Sequence, residues 1–132
     1  MSQENTDVVR QAWRAVSSDG ELRFELWGED LRIENMPEFP IQGSYSGYDG
    51  LARWRDDIAE VIEDLRFDVQ EAIDLGDGRV LSVQRALGRA THTGIEMDVL
   101  WASVLTLREG RIVHAQGYWT PEQAREAVGL PE

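Results

Sequence analysis

Few side chains in this 132-residue sequence could move a proton near neutral pH. There are two histidines, His92 and His114, and neither cysteine nor lysine. Thiolate nucleophiles, thiolate metal sites, disulfides and lysine Schiff bases are therefore excluded. His92 shares the strand parity of Ala86 and Ala90. It is either a general acid/base titrating near neutrality or an exposed histidine in a Thr-His-Thr-Gly turn. His114 is expected on the outer face of a sheet, at a dimer contact. Two histidines on opposite faces do not make a metal site. Glu71 interrupts an otherwise apolar strand face, as a paired edge carboxylate or as a pocket acid with a raised pKa. Glu34 is expected to face outward. Asn35 either contacts a ligand or caps a loop, and Ser103 places one hydroxyl on an apolar face. The catalytic candidates are thus His92, Asn35 and Ser103. No P-loop, dinucleotide fingerprint or metal-ligand spacing occurs, so no cofactor or metal is expected.

Five tryptophans in a chain of this length is a high number. Trp13, Trp54, Trp101 and Trp119 fall on faces expected to converge. They would wall a site for a small, flat, apolar molecule, or fill a core. Small residues (Ala86, Gly88, Ala90, Ala115, Gly117) share the sheet face of Trp101 and Trp119. Small beside large leaves a hollow, or a space that a helix side chain fills. The expected pocket set is Trp13, Asn35, Trp54, Trp101, Ser103, Ala115, Gly117 and Trp119. Tyr45 and Tyr48 would rim its mouth or pack beside it.

The elements that must position these groups follow from periodicity. From Ile95 the odd positions to Leu107 are apolar with one serine, a period-2 face. The even positions begin charged and become apolar, so the second face is covered as well. Arg108-Glu109-Gly110 reads as a three-residue hairpin loop. That turn sets Leu105 beside Val113, Ser103 beside Ala115 and Trp101 beside Gly117. Val113, Ala115, Gly117 and Trp119 then share the face of Trp101, and Ile112, His114, Gln116 and Tyr118 lie opposite. A two-residue turn would shift this pairing.

Upstream, Thr6 is a plausible N-cap for a helix to about Ser17, with Val8, Val9, Ala12, Trp13 and Val16 on one face. Residues 17–20 break it. A short helix over residues 21–27 and a short strand with Leu31 and Ile33 follow. Residues 35–50 form an ordered loop rich in Pro and Gly. A helix from Asp49-Gly50 to about Asp64 carries the stripe Leu51, Trp54, Ile58, Val61, Ile62 and Leu65. Strands span residues 65–75 and 79–91, separated by Gly76-Asp77-Gly78. Thr120 and Pro121 open a last helix that Gly129 ends. The fold class is α+β, helices on one face of a curved, mostly antiparallel sheet, in one domain over residues 1–132.

Net charge is −12, from 25 acids against 13 bases, all arginine. That balance disfavours nucleic acid and anionic membranes as partners. No apolar run approaches a membrane span and the first ten residues are not a signal peptide, so a cytoplasmic location is expected.

The element order, together with the turns GDGRV and THTG, the hairpin LREGRI and the ending EQAREAVGL, resembles the nuclear-transport-factor-2-like superfamily. Within it the chain is most similar to SnoaL-like, polyketide-cyclase-like domains. The resemblance implies a cone-shaped fold, an internal apolar pocket between helices and concave sheet, and a homodimer through the outer sheet face. Such domains serve as isomerases, cyclases, dehydratases, epoxide hydrolases and plain binders. Two functions follow: a lyase, isomerase or cyclase acting on a small apolar molecule, or a non-catalytic binding or dimeric assembly module with the same pocket.

The segment IENMPEFPIQGSYSG resembles the strand and loop that carry the general-base Asp of ketosteroid isomerase; the matching residue is Asn35. The oxyanion-hole Tyr of that enzyme corresponds to Trp13. Its protonated Asp corresponds to Ser103, or to Ala102 if the hairpin pairs differently. HAQGYW resembles its last strand, with Trp119 at a pocket-lining Trp. An amide takes no proton at neutral pH, so this pattern predicts no ketosteroid isomerase activity.

Overall fold

The computed structural model describes residues 2–17, 21–37, 39 and 43–130. Residues 18–20 of the expected break and part of the loop at residues 35–50 lie outside them. Helix α1 spans Ser2–Ala15 and is followed by a single 3-10 turn, Phe24–Leu26. Strands β1 (Trp27–Glu34) and β2 (Ser44–Ser46) precede α2 (Gly47–Val61). Four further strands are β3 (Ile62–Asp74), β4 (Arg79–Ala90), β5 (Glu96–Arg108) and β6 (Arg111–Tyr118). Helix α3 (Pro121–Val128) closes the described chain. One six-stranded sheet has the order β2-β1-β6-β5-β4-β3, antiparallel except for the parallel pair β1–β6. The α+β class therefore holds.

Three boundaries differ from expectation. Thr6 lies inside α1, not at its cap, because the chain ahead of it continues the helix. Trp27 begins β1 instead of ending a helix, and is buried in the core. Helix α2 stops at Val61 and passes into β3 with no loop, so Ile62 and Leu65 belong to a strand. The Ile62 N–H still bonds the Ile58 carbonyl, closing the last helical turn. Asp64 then adopts a left-handed φ of 57° inside a register shift between Glu63 and Arg66. Gly88 on β4 makes that irregularity possible: a Cβ there would stand 2.8 Å from Ile62 Cγ2 and 3.0 Å from the Glu63 carbonyl oxygen.

The last hairpin is tighter than the three-residue loop the sequence suggests. Arg108 pairs with Arg111 across Glu109 and Gly110, both at positive φ (53° and 77°). This is the backbone signature of a two-residue primed turn. The strands then pair Leu107 with Ile112 and Thr106 with His114, so Val113 is a bulge. Leu105 faces Ala115 and Ser103 faces Gly117, a correction of the expected register. Ile112, fully buried, takes the inward place expected for Val113.

Helices α1 and α2 cover one face of the sheet, with Val9, Trp13, Leu51 and Trp54 in the main core. Helix α3 packs on the other face. Its Ala124 meets Leu81, Val83 and Ala102, with Val128 and Leu130 alongside. The helices are therefore divided between two faces, which explains why β5 is apolar on both sides. Thr120 caps α3, its Oγ1 accepting from the Gln123 N–H at 3.1 Å, and Gly129 ends it at a φ of 75°.

Candidate functional site

The concave face of the sheet and helices α1 and α2 enclose a cavity of about 40 Å³. That volume is on the order of one or two water molecules. Trp13 reaches it from α1 and Trp54 and Ile58 from α2. The sheet contributes Ile33, Phe67, Gln84, Trp101, Ser103, Ala115 and Gly117, and the stretch after β1 adds Asn35, Met36 and Phe39. Seven of the eight expected pocket residues thus meet around one void. Trp119 stands one ring behind: it packs on Trp101 at 6.2 Å and on Phe39 at 5.8 Å, and its Nε1–H donates to the Pro37 carbonyl at 2.7 Å.

The wall is a continuous run of aromatic contacts. Trp54 meets Trp13 edge-on at 6.4 Å, Trp13 meets Phe67 at 4.7 Å, and Phe67 meets Trp101 at 6.4 Å. Phe39 then stands edge-on to Trp101 at 5.8 Å and 84°. Small residues do not all leave hollows. Gly117 admits Met36, whose backbone N lies 3.3 Å from where a Cβ would be. Gly88 admits the β3 backbone instead.

The polar groups form two sets. Trp54 Nε1–H donates to Asn35 Oδ1 at 2.9 Å. Opposite, Trp13 Nε1–H donates to Ser82 Oγ at 3.1 Å, Ser82 donates to Gln84 Oε1 at 2.8 Å, and Gln84 Nε2–H donates to Ser103 Oγ at 3.0 Å. Ser82, Gln84 and Ser103 are all buried, at 0%, 2% and 4% exposure. Every buried polar side-chain atom in the described residues has a partner. Gln84, at the centre of this chain, was not among the expected site residues. Its signal was available: it is the one long polar side chain among the small even positions of β4.

The titratable candidates do not converge on the cavity. His92 is exposed in the Thr91–Gly94 turn. Glu71 pairs with Arg125 at 2.8 Å. A register shift between Val69 and Glu71 turns its side chain to the α3 side. His114 Nε2 bonds Glu34 Oε2 at 2.6 Å. That hydrogen bond holds the Glu34 carboxyl below its usual range, against the effect of partial burial. Tyr45 is buried and donates to Asp57 at 2.6 Å; burial, with that acceptor, pushes its phenol up to about 12. Tyr48 donates to the Trp27 carbonyl at 3.0 Å. Both tyrosines pack.

Comparison with known proteins places this architecture. A SnoaL-like domain model matches residues 8–115. No curated protein matches in sequence. A hypothetical protein with a ketosteroid isomerase-like fold from Catenulispora acidiphila, in complex with trimethylamine, is 19% identical with a TM-score of 0.70, over 99% of this chain and 96% of that one. TerC, co-crystallised with polyporic acid, is 15% identical at a TM-score of 0.75 over 96% and 98%. A SnoaL-like protein of the polyketide-cyclase type from Jannaschia is 15% identical at 0.76 over 99% and 95%. At these identities the shared property is the fold.

Proposed function

Because the chain belongs to the SnoaL-like domain family, we propose that it binds a small, mostly apolar molecule in the indole-lined cavity, without a proton-transfer group of its own there. The observation that carries this reading is the lining itself. Glu34 is the one acidic residue that borders it, and its carboxylate is bonded to His114 at 2.6 Å, on the strand side opposite to Ile33. The remaining polar groups are amides, hydroxyls and indole N–H groups, which donate and accept hydrogen bonds but do not exchange protons at neutral pH. A lyase, isomerase or cyclase built here would act by hydrogen bonding and confinement alone, through Ser103 and Asn35. His92 is not part of it.

A guest larger than two waters needs space that the wall now fills. Phe39 is the ring to be displaced: it belongs to no helix or strand and lies against Trp101 and Trp119. Two fold neighbours were crystallised with small molecules, one in complex with trimethylamine and one with polyporic acid, which supports a guest in this chain as well. A ligand screen read through the indole N–H NMR signals of Trp13 and Trp54 tests the reading. Hits that move both signals are expected; no hit at millimolar concentration overturns it.

The second reading is a dimeric binding or assembly module. Helix α3 already covers Ala102, but Leu100 on the same face of β5 is 48% exposed. A second copy covering that part of the outer face is the proposed homodimer, which sedimentation as a monomer at micromolar concentration would contradict.

A further inference from the structure

The hydrogen bonds from Trp13 to Ser103 have a direction that is fixed at their start. An indole N–H only donates. Ser82 therefore accepts from Trp13 at 3.1 Å, and its single hydrogen goes to Gln84 Oε1 at 2.8 Å. With its oxygen held on that side, the Gln84 amide must present its nitrogen to Ser103 Oγ, at 3.0 Å. The opposite amide orientation would leave the Ser82 hydrogen with no acceptor in a fully buried site, which is costly. Ser103 is thus an acceptor toward Gln84, and its own O–H is left for whatever occupies the cavity it lines.

We infer that Gln84 is a positioning residue that fixes the hydrogen-bond polarity of the cavity, so that the site takes a ligand whose polar group is an acceptor oxygen, a ketone or ether, in preference to the matching alcohol. This inference rests on the ligand-binding reading above. A ketone accepts the Ser103 O–H and brings no hydrogen of its own. An alcohol accepts the same bond but buries a second O–H against indole and phenyl faces. One stranded buried donor corresponds to about a tenfold loss of affinity.

The test uses 1-indanone, 1-indanol and indane, which share one skeleton, titrated into the full chain and followed through the Trp13 and Trp54 indole signals. The wild type is expected to bind 1-indanone about tenfold more tightly than 1-indanol. In Ser103→Ala the ratio should fall to within about twofold. Gln84→Met, which frees Ser103 to accept as well as donate, should lower it too. Both variants are checked for native circular dichroism, and the wild-type ratio decides the matter if either fails to fold. Equal binding of ketone and alcohol by the wild type, or an unchanged ratio in folded Ser103→Ala, overturns the polarity inference while leaving the binding site in place. Absence of binding of all three, also in Phe39→Ala, where the closing ring is gone, overturns the binding reading itself.

Discussion

Replacing Gln84 by Leu keeps the bulk of the side chain and deletes both of its hydrogen bonds. Two buried partners are then stranded, Ser82 at 0% and Ser103 at 4% exposure. Each stranded group costs about 1–3 kcal/mol, and the apolar side chain returns part of that, so Gln84→Leu should destabilise by about 2–3 kcal/mol. Ser103→Ala strands only the Gln84 N–H, at about 1–2 kcal/mol. In the double variant just one group, the Ser82 hydroxyl, remains without a partner. Its cost should be about 1–2 kcal/mol, smaller than that of Gln84→Leu alone. The coupling between the two sites is then about 2 kcal/mol, far outside the ~0.5 kcal/mol within which distant sites add. Urea titrations of the four proteins, fitted with a shared slope, measure it. Additive costs would refute the chain of bonds and with it the assigned direction of the Ser103 hydroxyl.

Other outcomes follow from the geometry. A 5-ene-3-ketosteroid should not be turned over, since Asn35, which the resemblance sets at the general-base position, takes no proton at neutral pH; robust steady-state isomerisation would refute this. Gly88→Ala places a methyl 2.8 Å from Ile62 Cγ2 and 3.0 Å from backbone, and should cost about 1–3 kcal/mol in chemical denaturation. Thr120→Ala removes the α3 cap and should cost about 1 kcal/mol. The folded-state pKa of Glu34 is depressed, so its contribution is present above the unfolded value of 4.5 and is lost as pH falls through the folded value. Wild type should therefore lose stability relative to Glu34→Gln as pH drops below 4.5, and parallel acid titrations of the two would contradict it.

Much of the architecture was legible because strands and helices announce themselves by period. The alternation from Phe67 to Val69 and from Trp101 to Leu107 points to one buried face, and α1 and α2 carry clear stripes. What could not be read were the places where the period slips. Neither the bulge at Val113 nor the register shift before Glu71 has a marker residue of its own, yet each reverses inside and outside for all that follows. The tight turn at Glu109-Gly110 is similarly silent, because Glu seldom accepts a positive φ. The aromatic wall was legible from residue type and parity. Gln84 was not singled out, because a polar side chain on a strand is normally solvated; its place among the small even positions of β4 was the one sign in the sequence, and its bonds to Ser82 and Ser103 make the burial plain. The exclusion of His92 depended on the length of its strand, which ends at Ala90 and leaves the imidazole in the turn.

The parallel pairing of β1 with β6 also constrains how the chain is made. In the sheet, β1 and β2 touch the rest only through β6, the last of its six strands in chain order. While the ribosome adds the residues between Glu34 and Tyr118, roughly 4–17 s at ordinary elongation rates, the segment holding Leu31 and Ile33 has no neighbour on that side. Asn35 and Met36 cannot take their places beside Gly117 before then. The nascent segment therefore carries an open apolar edge until β6 has emerged, and the indole-lined cavity is among the last features of this sheet to form.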